Sequence, residues 1–199
     1  MQDSIEQDKI PYPGEDIEIV ELGDSSSVFI SGFESEIKEI EAFLKEDALK
    51  QEKEGVNRTF LWMSREYHQI LGYITICADA INLDKVQKDE MIRRGINYKS
   101  LPALKIGRMG VQKSFCRKGI GTKMIAFAVD RAVKIHRIAA CRFITVDAKN
   151  DEIIPERLKP ERFYKKNGFE ILKTKEKSNV VHMYKNLVNI IKEEEKIKP

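Results

Sequence analysis

The loop Arg117-Lys118-Gly119-Ile120-Gly121-Thr122 opens a long run of apolar residues at helical spacing. Two glycines there cost helix stability, each about 1 kcal/mol against Ala in a helix interior. Two readings account for that cost. Glycine permits a turn that a side chain forbids. Bare backbone N–H groups at the positive end of a helix also suit an anion, phosphate above all. The residues leave both open. The chain has no G-x-x-x-x-G-K-[ST], so the loop is not a P-loop. It also lacks an early G-x-G-x-x-G with an acidic residue about 20 positions on, which argues against a Rossmann dinucleotide site. Other reactive side chains are scattered. Cys77, Cys116 and Cys141 are odd in number and far apart, which predicts reduced thiols rather than a disulfide framework. Cys116 precedes Arg117 and Lys118 near a helix start, conditions that lower a thiol pKa. His68, His136 and His182 form no Cys/His group with zinc-ligand spacing, so no metal is expected.

The elements that must position these residues follow from composition and period. A length of 199 residues fits one medium-sized domain with a full core, and 42% apolar with 34% charged residues suits a soluble globular chain. No apolar run reaches the roughly 18 residues of a membrane span. The acidic start MQDSIEQDKIPYPGED is not a secretory signal, and a cytoplasmic protein without membrane attachment is expected. A formal charge of +3 does not by itself argue for nucleic acid.

Residues 1–16 read as a loosely ordered segment, 17–187 as one domain and 188–199 as a charged C-terminal tail in a fraying helix. Residues 17–22 and 27–31 are expected as short strands. Ile37, Ile40, Phe43, Leu44 and Ala48 recur at helical spacing, with Gly55 as the stop. RTFLWMS and QILGYITICADAINL read as strands. A charged insertion follows as a short helix and loop, then ALKIGRMGVQ as a strand whose glycines suggest close approach by another backbone. Trp62 and Met63 are expected in the core or a cleft wall. Arg108 reads as an ion-pair partner or a cleft residue. Ile120, Met124, Ile125, Ala128, Val129, Ala132 and Val133 form one helical stripe. CRFITVDA is a buried strand, and a short helix stopped by Gly168 precedes the strands FEILK and VVHMYKNL. The result is a mixed α/β sheet with helices on its faces.

This order, with RKGIGT before the long helix and FYKKNGFE after the next strand, resembles the Gcn5-related N-acetyltransferase (GNAT) family. The acyl-CoA signature of that family is Q/R-x-x-G-x-G/A, and CRKGIG matches its glycines; Cys116 stands where Gln or Arg is usual, with Arg117 beside it as a source of positive charge. LPALKIGRMGVQKS, CRFITVDAKN and FLKEDAL are similar to a bacterial subgroup that includes toxins acetylating aminoacyl-tRNA. The resemblance covers roughly residues 28–187 and implies a mostly antiparallel twisted sheet with splayed central strands.

The resemblance also implies acetyl-CoA as cosubstrate. Met109, Gly110 and Val111 would pair with the pantetheine arm as an added strand. Amides of Arg117, Lys118, Gly119, Ile120, Gly121 and Thr122 would hold the pyrophosphate. Asn150 would contact CoA; an ordinary turn Asn is the alternative. Tyr164, in the family's FY position, would be the acid that protonates the departing thiolate, since a phenol and a thiol have comparable acidity; the alternative is packing beside Phe163 and Phe169. Cys116 would be inert, because the family forms no acyl-enzyme. No Glu on KIGRMGVQ offers a general base, which tilts the acceptor toward an α-amine, whose pKa near 8 leaves a neutral fraction.

Three functions follow from these readings. The first is direct transfer of acetyl to a small-molecule or peptide amine. The second is acetylation of aminoacyl-tRNA by a toxin paired with an antitoxin, for which Lys159, Arg162, Lys165 and Lys166, with Lys113, Arg117, Lys118 and Lys123, would supply basic surface. The third is a non-catalytic acyl-CoA-binding module. A homodimer is compatible with each.

Overall fold

Alternation of Ile17 and Ile19, both buried, with the more open Glu18 and Val20 makes the first strand, β1 (Ile17–Glu21). The computed structural model describes residues 17–66, 68–149, 159–172 and 179–197. Its further elements are α1 (Ser27–Ile30), α2 (Lys38–Ala42), a wider π turn at Phe43–Asp47, α3 (Ala48–Lys53), β2 (Arg58–Ser64) and β3 (Gln69–Asn82). Then come α4 (Lys85–Arg93), β4 (Ser100–Val111), α5 (Ile120–Ala139), β5 (Phe143–Lys149), α6 (Pro160–Lys166), β6 (Glu170–Ile171), β7 (Val180–Asn186) and α7 (Val188–Ile197). Among the described residues the sheet has seven strands in the order β1-β2-β3-β4-β5-β7-β6. β1–β2, β2–β3, β5–β7 and β6–β7 are antiparallel; β4–β5 is parallel.

The chain packs as two compact units, and β3, β4 and α5 pass through both. The first takes the described residues up to Ile76 and Gly107–Met124. Its core joins Leu22, Ile30, Phe33, Leu44, Leu61 and Tyr73. The second takes Cys77–Ile106 and the described residues from Ile125 onward. Its core cluster includes Ile81, Met91, Leu101, Phe143 and Tyr184.

Residues 27–31 are not a strand but the helical turn α1. Ile30 and Phe33 are buried at a spacing of three while Val28 is 76% exposed, so the two-residue period fails and a helical turn satisfies the burial. The stripe on α5 forms: Ile120, Met124, Ile125, Ala128, Ala132 and Val133 are buried, joined by Phe127, with Val129 half-buried. The C-terminal segment docks rather than frays, with Ile191 buried on α7 and Glu194 bonded to Arg137 of α5 at 2.7 Å. Among the described residues no helix is long and apolar enough to cross a membrane.

Candidate active site

In the first unit, β4 leads into the glycine loop. Gly110 is buried, with Met109 and Val111 half-buried on either side. A Cβ on Gly110 would lie 2.4 Å from Ile40 Cγ2 and 2.8 Å from Tyr73 Cε1. One on Gly107 would lie 2.9 Å from Thr75 Oγ1. The Cβ positions of these two glycines face neighbouring side chains. The backbone approach expected from the sequence is present at Gly110, whose carbonyl oxygen would lie 2.7 Å from a Cβ on Gly72.

The loop after β4 is anchored at its start. Gln112 N–H donates to the Leu71 carbonyl at 2.8 Å, and its side-chain oxygen accepts from Glu34 N–H at 2.7 Å. Lys113 N–H donates to the Glu34 carbonyl at 2.9 Å. The chain then turns through left-handed backbone at Arg117 (φ 64°) and Gly119 (φ 86°) before α5 begins at Ile120. Left-handed backbone is costly for a side-chain-bearing residue, so Arg117 is held by its anchored surroundings. A Cβ on Gly119 would meet nothing within 4 Å, so space is open in front of this turn. The first-turn N–H groups of a helix have no intrahelical acceptor, and here they belong to Ile120, Gly121 and Thr122. Arg117 and Lys118 are exposed, and the Lys118 ammonium lies 4.6 Å above the Phe115 ring. This surface is an open, positively charged backbone cradle suited to a phosphate.

Cys116 takes the inert role expected of it. Burial and the charge of Glu36 push its thiol up, outweighing the opposing pull of Arg117, so it is not an activated nucleophile. Arg108 is an ion-pair partner: its guanidinium is 3.9 Å from Glu39 and sits 5.5 Å over the Phe43 ring. Trp62 is fully buried in the core, and Met63 helps line a separate surface cleft.

In the second unit, Tyr164 is buried on α6. Its ring lies edge-on to Phe163 and Phe169, each with centroids 5.3 Å away. Burial alone pushes its hydroxyl pKa up, so the phenol keeps its proton through the neutral range. α6 ends as expected: Gly168 takes φ 79°, and Phe169 N–H returns to the Tyr164 carbonyl at 3.0 Å. Of the basic residues around Tyr164, Lys165 is paired with Glu161 at 2.6 Å, and Arg162 and Lys166 are exposed. Asn150 lies outside the described residues.

The second unit also brings together residues that the sequence did not single out. Asp147 on β5 accepts from Lys105 of β4 at 2.6 Å and faces His182 Nδ1 of β7 at 2.7 Å. Burial would raise its carboxyl, but hydrogen bonds and charge from Lys105 and His182 outweigh this and hold it below the usual carboxylate range. Polar residues alternating along VDAK and VVHMYK were the available signal. Only the Asp147–His182 register makes them neighbours. Among the described residues no group of His, Cys, Asp and Glu could hold a metal ion.

The fold and the helix-mouth cradle define a known class. The family model described as an acetyltransferase (GNAT) domain matches residues 57–171, more than half of the chain. The protein belongs to the GNAT acetyltransferase family. Solved structures share its fold. AtaT in complex with acetyl-methionyl-tRNAfMet superposes with a TM-score of 0.71 at 21% identity, covering 88% of this chain and 97% of that one. A tyrosine-to-phenylalanine mutant of KacT gives 0.70 at 22% identity, covering 92% and 100%. An AtaT mutant bound to acetyl-CoA and the C-terminus of the antitoxin AtaR gives 0.69 at 19% identity, covering 88% and 96%.

Proposed function

We propose that the protein transfers the acetyl group of acetyl-CoA directly to a primary amine. The observation that carries this reading is the open left-handed turn at Arg117–Gly119 feeding the first turn of α5. Its chemistry fits CoA: amide donors and positive side chains match a pyrophosphate, and the space before Gly119 is clear. Arg117, Lys118, Gly119, Ile120, Gly121 and Thr122 hold the phosphates. The backbone of Met109, Gly110 and Val111 receives the pantetheine arm as an added strand. Bound acetyl-CoA supplies the activated acyl group as a thioester. The reading puts the reaction in the cytoplasm.

Tyr164 is the acid. The departing CoA sulfur takes a proton from its hydroxyl, which burial keeps protonated until needed. The aromatic contacts with Phe163 and Phe169 fix the ring and limit the reorganisation required at transfer.

The acceptor is a small-molecule or peptide amine in the broad reading. The α-amine of aminoacyl-tRNA is the narrower one, favoured by the likeness to AtaT bound to acetyl-methionyl-tRNAfMet and by exposed Lys113, Arg117 and Lys118. An antitoxin partner accompanies that narrower reading. The test is an acceptor screen with acetyl-CoA against lysine, a peptide N-terminus, methionine amide and methionyl-tRNA. Acetylation of methionyl-tRNA with little transfer to the other amines supports the tRNA reading; transfer to small amines without tRNA binding at low salt removes it. Tight acetyl-CoA binding with no transfer to any amine would instead make the protein a binding module.

A further inference from the structure

The pantetheine arm begins at the phosphates of CoA and ends in the thioester. Laid from the glycine loop along Val111, Gly110 and Met109, it points its acyl end at Arg108, the next residue of β4. Arg108, helix α2 and the glycine loop all belong to the first unit. Side chains along a strand alternate between faces, so Arg108 shares the face of Gly110. That face meets α2, because a Cβ on Gly110 would run into Ile40 Cγ2. Glu39 precedes Ile40 on α2, and its Oε1 is 3.9 Å from Arg108 Nη2. A carboxylate and a guanidinium therefore stand together where the acyl end points.

The two groups are held in place without being clamped to each other. Arg108 N–H donates to Thr75 Oγ1 at 2.7 Å, and Nη1 of its guanidinium turns back to the Gly107 carbonyl at 2.9 Å. The guanidinium lies 5.5 Å over the Phe43 ring, which stacks on Tyr73 with centroids 6.2 Å apart. The positive charge is thereby kept at the β4 backbone. The 3.9 Å between Nη2 and Glu39 exceeds a hydrogen-bond distance. Both side chains are open to solvent, 41% for Arg108 and 49% for Glu39, so a ligand can bond to the two at once. An exposed ion pair contributes about 0–1 kcal/mol, so stability alone gives little reason to fix a charge here.

The ligand that fits is an amine with a carbonyl on the adjacent carbon. An amine N–H donates to a carboxylate, and a carbonyl oxygen accepts from a guanidinium. In an α-amino acyl group the two polar atoms are joined through only two carbons, so both reach a pair this close. The ε-amine of lysine has no carbonyl at that separation.

We infer that Glu39 and Arg108 form the acceptor subsite and select an α-amino acyl group over other primary amines. Glu39 takes an N–H of the amine, which keeps its lone pair for the acetyl carbon, and Arg108 takes the neighbouring carbonyl oxygen. The inference rests on the acetyl-transfer reading above and names the acceptor class for it. Both are specificity-determining residues.

The test uses the full chain with methionine amide, methionyl-tRNA and 3-(methylthio)propylamine as acceptors. The last keeps the amine and side chain of methionine amide but lacks the carbonyl, and wild type should prefer methionine amide to it. Glu39→Gln should raise the acceptor KM for all of them by about 10-fold or more, the worth of a hydrogen bond to a charged group. Arg108→Gln should raise it similarly for methionine amide and methionyl-tRNA but not for 3-(methylthio)propylamine. In both variants the loss should fall on KM more than on kcat. Calorimetric titration of methionine amide into protein saturated with coenzyme A, where no transfer occurs, should show the same weakening as a higher Kd. Acetyl-CoA should raise the melting temperature of both variants as it does for wild type, showing an intact fold and cofactor site. An unchanged KM for methionine amide and methionyl-tRNA in Glu39→Gln would overturn the inference while leaving the acetyltransferase reading standing. So would an Arg108→Gln penalty that is equal with and without the carbonyl. No turnover by wild type on any amine would remove the parent reading and this one with it.

Discussion

The Tyr73 hydroxyl donates to the Ile40 carbonyl at 2.7 Å, and the same ring closes over the space where Gly110 would carry a Cβ. Strand β3, helix α2 and strand β4 are thereby locked around a glycine. Gly110→Ala should destabilise by about 1–3 kcal/mol through overpacking, and Tyr73→Phe by about 1 kcal/mol through the lost hydrogen bond. Chemical denaturation of both variants checks this. A neutral Gly110→Ala would mean that Ile40 and Tyr73 yield freely.

Gly119 has the opposite problem. Nothing obstructs a side chain there, but its φ of 86° does not suit one. Gly119→Ala should cost about 1 kcal/mol by backbone strain. Gly119→Leu should also fill the cradle and abolish the acetyl-CoA-induced rise in melting temperature. Retained acetyl-CoA affinity in the folded Leu variant would contradict the pyrophosphate assignment.

Glu41 predicts an acid-labile increment of stability. Hydrogen bonds from Lys45, Ser35 N–H and Lys38 lower its pKa from 4.5 to about 2. A depressed folded-state value stabilises above the unfolded value and loses that contribution as pH falls through the folded one. The melting-temperature gap between wild type and Glu41→Gln should be full at neutral pH and shrink between about pH 4.5 and about 2. A gap that persists at pH 2 would contradict the ion-pair origin.

Much of this architecture is legible in the sequence because it rests on period. The α5 stripe and the Gly168 stop are local patterns, and each element formed. The failures are non-local. SSVFI has strand-like composition, but burial of Ile30 and Phe33 at a spacing of three selects a helical turn. The glycines of β4 signal close approach, but not that Ile40, Tyr73 and Thr75 are what approach. Asp147 and His182 lie 35 positions apart and become a pair only through the β5–β7 register.

The aminoacyl-tRNA reading predicts a steep salt dependence, because each phosphate contact releases counterions. Lys113 and Lys166 are exposed. Lys113→Ala and Lys166→Ala should each weaken tRNA binding and lower the log–log salt slope by about 1. Filter binding across a salt series measures it. An unchanged slope in both variants would remove these lysines from the tRNA surface.

Tyr164→Phe tests the central claim most directly. The ring keeps its place between Phe163 and Phe169, and only the hydroxyl is lost. Steady-state acetyl transfer to the best acceptor, with acetyl-CoA binding followed by calorimetry, should show a kcat about 10²-fold lower at unchanged acetyl-CoA affinity. A wild-type kcat in Tyr164→Phe would contradict the account.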